Sequence, residues 1–457
     1  MQPDLVVTGR SVITMNARRD IVHDGAVAVR DGEIIAIGKA ADLRARWPHA
    51  NHLGDARAVV TPGCVNAHHH LTGDRLIRSA IPDDLPPGAS IFSWVVPVHG
   101  AHSPDDDELS ATLSCAEQVE HGITTIIEAG TVAHPDRVAA AMRRVGVRGT
   151  VGTWGWDIGD GPFAAPAAEV LARQAEVLDR HADDPLVRGW VTLVGHDLMS
   201  DGLVAGASDL ARRRGVGLTF HISPHAGDPA AYLVRTGARP LVHLDRLGAL
   251  GPHVLLAHAV HLDDAEVETV LRTRSAIAYA PWAYLRLGQG VGPHGRHAEL
   301  AAAGGRVALA LDAENAGDAT DLLSAAALAA GIAKDQHADP TWFGAHEALE
   351  LATIRGAEAV GLDAVTGSLE VGKRADVVVH DGTGLVWLPP SADPVLQLVW
   401  AAHATTVRDV LVDGRVVVRD GQCCTVDREA LRAEAARAVP ALLARAGIHP
   451  ASRWPVV

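Results

Sequence analysis

Between Val59 and about Gly361 the chain alternates short apolar β-rich runs with Ala- and Leu-rich stretches of helical period, eight times over. Seven runs read as strands: Ile123–Glu128, Arg148–Thr153, Val187–Val194, Val216–His221, His253–His258, Ala276–Tyr279 and Arg306–Asp312. The run from Ala58 to Val65, short and rich in β-branched residues, is the eighth. Strands separated by helices must pair in parallel, because a crossover of that length returns the chain to the same sheet edge. Eight such units predict a (β/α)₈ barrel, whose chemistry collects where the strands end.

The two ends of the chain have a different texture. Leu5-Val-Val-Thr, Ser11-Val-Ile-Thr-Met, Ala26-Val-Ala-Val and Glu33-Ile-Ile-Ala-Ile are punctuated by Gly9, Asp31-Gly32 and Gly38, which are hairpin signals. Ala375-Asp-Val-Val-Val-His and Val407 to Gly421 repeat that pattern. Neither end can bury a core of its own size, so one discontinuous β-sandwich built from both is expected. The predicted division is 1–58 and 366–457 for the sandwich and 59–365 for the barrel. A last helix is expected from near Asp427 to about Arg445, kinked or interrupted at Pro440. The stretch from Thr72 to about Pro104 is long for a βα connection and is expected to form a lid or a substrate-binding element.

Composition excludes several classes. The net charge is −15, and basic residues are scattered rather than clustered, which rules against a nucleic-acid binder. No apolar run approaches the ~20 residues of a membrane helix, and no signal core follows the start, so a cytoplasmic protein is expected. Cys64, Cys115, Cys423 and Cys424 show no spaced metal motif, which fits a reducing compartment. The 25 histidines carry information only by position, since abundant Arg and Ala point to a genomic bias.

Position singles out Thr61-Pro-Gly-Cys-Val-Asn-Ala-His68-His-His70. On a strand, His68 and His70 face one side and His69 the other. Neutral imidazole is a zinc ligand, and a catalytic site takes about three protein ligands and leaves a place for water. Taken alone, the triplet fits equally well a polar loop at a strand end. Three other predicted strands also close on ionisable groups: Thr219-Phe-His221, Leu256-Ala-His258 and Leu309-Ala-Leu-Asp312. His261 and Asp263 read instead as an ordinary helix start.

The set Pro62-Gly63-x-x-Asn66-x-His68-x-His70, His221, His258 and Asp312 resembles the amidohydrolase superfamily, in the branch of cytosine deaminases, adenosine-derivative deaminases and triazine hydrolases. The resemblance runs nearly the whole chain, with Glu370-Val-Gly-Lys-Arg-Ala-Asp376 as the return into the sandwich. It implies His68, His70, His221 and Asp312 as ligands of one divalent metal, zinc before iron or manganese, and His258 beside the attacking water. Asp312 would also accept the water's proton, and Asn66 would support the strand end. It further implies a small-molecule substrate and a homodimer. The carboxylated lysine of binuclear members has no counterpart among Lys39, Lys334 and Lys373; Glu128 is the residue that could bridge a second ion.

One departure bears on mechanism. Deaminases of this branch carry a glutamate three residues after the strand-five histidine, and it protonates the ring nitrogen. Here the sequence is His221-Ile-Ser-Pro224-His225. His225 is the first candidate to replace that acid, then Glu314 and Glu128. Trp94, Trp282, Tyr284, Arg286 and Glu314 lie where specificity loops fall, and suit a flat heterocycle with an anionic or carbonyl group. The expected function is hydrolysis of a C–N bond in such a ring, by deamination. The alternatives are displacement of halide or thiol, opening of a cyclic amide, or a metal-bearing protein that only binds its ligand.

Overall fold

The computed structural model describes residues 2–456. Eight strands form a ring: β1 (Cys64–His69), β2 (Ile123–Glu128), β3 (Arg148–Val151), β4 (Val187–Gly189 and Val191–Gly195), β5 (Leu218–Ile222), β6 (Val254–His258), β7 (Ala276–Tyr279) and β8 (Arg306–Leu309). Each pairs in parallel with the next. The fourth strand, expected to be continuous, breaks at Trp190; Trp190 N bonds back to Val151 O and Val191 N forward to Gly217 O, each at 3.0 Å. The ring closes between β8 and β1, where Asp312 N donates to His68 O at 3.0 Å. Buried on both faces, these strands are apolar without alternation. The chain is therefore an α/β protein built on a (β/α)₈ barrel.

The termini form one nine-stranded sheet, the β-sandwich. Its joint is Val59–Pro62, parallel to Leu5–Ile13 on one side and antiparallel to Val377–His380 on the other. The run Ala58–Val65, expected as one strand, is thus two, parted at Gly63. A Cβ there would lie 2.0 Å from Thr124 Oγ1, so any side chain at the entry to the first barrel strand would have to displace Thr124. A buried bidentate pair ties barrel to sandwich, Arg148 Nε to Asp376 Oδ2 at 2.9 Å and Nη2 to Oδ1 at 3.1 Å.

The long first loop is not irregular: it holds helical turns at Asp74–Ile77, Pro87–Ser90, Ile91–Val95 and Val96–Ala101. The final helix, Arg428–Ala446, continues through Pro440 without the expected interruption. It packs on this loop, with Leu431 and Leu442 against Leu76, Ile77 and Val98, and Arg445 Nη2 is 2.5 Å from Asp106. The far end of the chain therefore braces the wall of the barrel mouth. Among the described residues no helix is long and apolar enough to cross a membrane, and all four cysteines are free.

Candidate metal centre and active site

At the C-terminal ends of the strands, β1, β5, β6 and the residue that closes β8 deliver one cluster. His68, His221, His258 and Asp312 are all buried, and their ligand atoms lie within 4.8 Å of one another. His70 joins them, its Nε2 at 3.2 Å from His221 Nε2 and 3.4 Å from Asp312 Oδ1. His258 and Asp312 take left-handed backbone, φ 75° and 63°. Non-glycine residues seldom adopt that conformation, and it is concentrated at functional sites.

The surroundings fix which nitrogens face inward. His221 Nδ1 donates to Val194 O at 2.6 Å, which leaves Nε2 as a lone pair towards the cluster. His70 Nδ1 is 2.8 Å from Thr131 Oγ1. Both ring nitrogens of His68 and Nδ1 of His258 are buried without a hydrogen-bond partner. Burial of polar nitrogen without a partner costs free energy, and a divalent cation would satisfy these atoms. The donor set fits a metal.

Electrostatics agree at His221, His258 and Asp312. Burial pushes His221 well below the usual histidine range and His258 down to about 3, each with neighbouring imidazoles adding to the effect. Burial would raise the Asp312 carboxyl, but His258, His68 and His70 hold it well below the carboxylate range. Against its own burial, His70 is lifted to about 9 by Asp312, Asp74 and Glu128. Glu128, the last residue of β2 and paired with His69 across the strands, is pushed up to about 7 by burial. Gly130 N donates to its Oε2 at 2.6 Å.

His69 points the other way, as strand alternation predicts. Its Nε2 lies 2.9 Å from Ser114 Oγ and 3.5 Å from Glu314 Oε1. Asn66 reaches across the closing seam, where Oδ1 accepts Leu311 N at 3.1 Å and Nδ2 donates to Gln118 at 2.8 Å. Asp263 caps the helix Asp264–Thr273 by accepting Glu266 N at 2.9 Å, and His261 bonds to Gln289 O.

The cluster floors a cavity of about 400 Å³. Phe92, Trp154 and Trp156 contribute aromatic surface to it, and His225 and Arg286 also line it. Four of the residues expected there lie elsewhere. Trp94 packs on the apolar cluster of the first loop and the last helix. Trp282 lines a separate pocket together with Leu328 and Trp400. Tyr284 is fully buried behind the site, its hydroxyl 3.2 Å from Ala278 O and its ring edge-on to His258. Glu314 is fully buried, with Arg75 Nη1 at 2.8 Å. These side chains alternate away from the mouth, a property that loop position alone does not carry. Arg286 lines the cavity, but its guanidinium bonds to the Asn315 and Ala316 carbonyls and faces Asp318 at 3.5 Å.

Sequence reasoning missed His196, Asp228, Asp74 and the Trp154–Trp156 wall, all of which line the cavity. His196 follows the apolar run Val191–Gly195, the same signature that marks His221, and that signature is the one that could have found it. Gly195, at φ +85°, approaches so closely that a Cβ would lie 2.1 Å from His221 O. That contact seats the His196 ring 5.5 Å from the His221 ring, stacked at 21°. Burial would raise Asp228, but His196, the Ser223 amide and His225 hold it below the carboxylate range.

Comparison with known proteins agrees with this geometry. Residues 59–417 match the model of the amidohydrolase family, and residues 25–50 that of a bacterial imidazolonepropionase-like composite domain. The chain is 31% identical over 424 residues to a 5-methylthioadenosine/S-adenosylhomocysteine deaminase of Syntrophobacter fumaroxidans, covering 93% of this chain and 95% of that protein. It is 30% identical over 426 residues to its counterpart in Moorella thermoacetica, covering 91% and 94%. Among solved structures, a zinc-bound adenosine deaminase from Xanthomonas campestris superposes with a TM-score of 0.91 at 29% identity, over 97% of this chain and 99% of that one. A zinc complex of atrazine chlorohydrolase from Arthrobacter aurescens shares the fold, with a TM-score of 0.86 at 23% identity over 95% and 100%.

Proposed function

We propose that this chain, which belongs to the amidohydrolase family, is a metal-dependent deaminase that replaces the amino group of a small nitrogen heterocycle by oxygen. The observation that carries the reading is the buried cluster of imidazoles and one carboxylate at the floor of an aromatic-walled cavity. The relatives' names, deaminases of adenosine-type compounds, support the amino group as the one that leaves.

His68, His70, His221 and Asp312 would hold the ion, zinc ahead of iron or manganese. Such an ion supplies Lewis acidity, bringing water from a pKa of ~15.7 towards ~7 so that it can act as a nucleophile at neutral pH. Asp312, kept anionic by the imidazoles around it, takes the proton of the attacking water and passes it to the departing nitrogen. His258, neutral at pH 7, has no partner at Nδ1 and is placed to steady the oxygen that develops charge. Phe92, Trp154 and Trp156 exclude bulk water and stack on a flat ring. His225 lines the same cavity, but burial and His196 lower it below the usual histidine range, so it is a poor proton store at neutral pH.

The proline at 224 gives weight to a second reading, displacement of halide or thiol or opening of a cyclic amide, none of which needs the missing acid. Product analysis on a panel of aminated, halogenated and lactam heterocycles with metal-loaded protein separates the two. Ammonia is the expected product; halide, thiol or a ring-opened acid in its place would assign the second reading.

A further inference from the structure

Acidic side chains are prominent in the lining of the cavity, although His70 there is lifted to about 9 and Asp197 pairs with Arg235 at 2.5 Å. Asp74, Asp83, Asp197 and Asp228 line it along with Asp312, whereas the guanidinium of Arg286 is engaged by carbonyls and Asp318. Asp74 is 1% exposed and its Oδ2 accepts no hydrogen bond, although His99 Nε2 stands 3.4 Å away. A cationic group on a substrate would find carboxylate partners along this lining.

Asp74 lies 3.9 Å from His70 and is already engaged by Asn315, whereas Asp228 approaches the cluster from the loop of Pro224, behind His196. Asp228 sits in the first turn of the helix Gly227–Thr236, 5% exposed. Its Oδ2 accepts the Ser223 amide at 2.5 Å, which pins the side chain across the loop that holds Pro224. Its Oδ1 is left with His196 Nδ1 at 3.6 Å. His196 in turn stacks on His221, so one imidazole separates this carboxylate from the metal-binding cluster.

We propose that the substrate is a cyclic amidine or guanidine that binds as the cation, with Asp228 holding its charged ring N–H beside the carbon that loses the amino group. The inference rests on the deaminase reading and names its substrate class. In an amidinium, water adds its oxygen to the carbon between the two nitrogens, and the C=N π pair moves to the ring nitrogen. That nitrogen already bears its hydrogen and becomes a neutral amine. One proton of the water passes by Asp312 to the amino nitrogen, the C–N bond breaks with its electron pair on nitrogen, and the hydroxyl forms the carbonyl as its proton goes to the released ammonia. Amidinium and water give lactam and ammonium, with one positive charge on each side. No protein acid is required at the ring nitrogen, which accounts for proline at 224. A neutral 6-aminopurine presents a bare nitrogen there and would need that acid.

The test is titration calorimetry of zinc-loaded protein with 2-iminopiperidine, a cation at neutral pH, and with neutral 2-aminopyrimidine. The cation should bind at least tenfold more tightly, and Asp228→Asn should abolish the preference while keeping its zinc. Equal or tighter binding of the neutral ring by the wild type would overturn the proposal, and this comparison needs no folded variant. A folded Asn variant that kept the preference would also overturn it. Ammonia assays on the two probes and on 5′-methylthioadenosine test the underlying reading separately. Ammonia from the nucleoside without cation preference removes this proposal and keeps deamination; cation preference with no ammonia from any probe supports the binding site and removes deamination.

Discussion

The amide of Asp312 donates to the carbonyl of His68 at 3.0 Å, and the same two residues bring a carboxylate and an imidazole within 3.6 Å. The hydrogen bond that closes the barrel thus also sets the distance between two members of the cluster. Fold and site share one seam, and damage to the seam should be read in both.

Asn66 is the side chain that holds it. Asn66→Ala leaves the Leu311 amide and the Gln118 amide group without their partner in a fully buried place. At ~1–3 kcal/mol for each of the two orphaned groups, roughly 2–6 kcal/mol of stability should be lost. Denaturant unfolding of the metal-free protein measures this, and zinc affinity should fall with it.

Strand alternation predicts the outcome of a histidine scan. Alanine at His68, His70, His221 or Asp312 should leave protein with little zinc, whereas His69→Ala should retain it and lose stability instead. His258→Ala should keep more zinc than His70→Ala while losing at least a hundredfold in kcat. Elemental analysis reads the order directly, and the reverse order would exchange the roles of His70 and His258.

Glu314 is buried against Arg75 and His69, and these two hold its carboxyl down at about 2 despite burial. Glu314→Ala should therefore cost stability, about 3 kcal/mol for a broken buried pair. Its effect on the pH profile of kcat should be small, because the side chain does not reach the cavity. Thermal unfolding and a pH–rate profile separate the two effects.

The loop network gives a pH signature. Asp107 is buried between His102, at 2.6 Å, and His134, at 2.9 Å; burial would raise it, but these partners hold it at about 2 against an ordinary 3.8. A depressed acid stabilises the fold above its unfolded value and ceases to do so as pH falls through its folded one. The contribution, on the order of 2 kcal/mol, should be present above pH 4 and vanish towards pH 2. Melting curves of wild type and Asp107→Asn should differ at pH 6 and converge only below about pH 2.

Much of this was legible in the chain. The barrel follows from β runs alternating with helical ones, and Ile123–Glu128 and Ala276–Tyr279 fall where expected. His68, His221, His258 and Asp312 could be found because each ends an apolar strand, where a parallel barrel gathers side chains. Direction within loops could not be read. Trp282 and Tyr284 are in the predicted stretch, yet its helix, Pro281–Arg286, turns both inward to the protein and only Arg286 to the cavity. Trp154 and Trp156 reach the site from a loop after β3 that has no periodicity to mark them. The break at Gly63 depends on contact with Thr124, about sixty residues away, which no local pattern records.

The most direct test is ammonia release from an aminated heterocycle by one preparation, assayed as purified, after removal of metal by a chelator, and after return of one equivalent of zinc. The account predicts activity that disappears on chelation and returns with zinc, and no activity in Asp312→Asn under any of the three conditions. Undiminished ammonia release by the metal-free protein, or by Asp312→Asn, would contradict it.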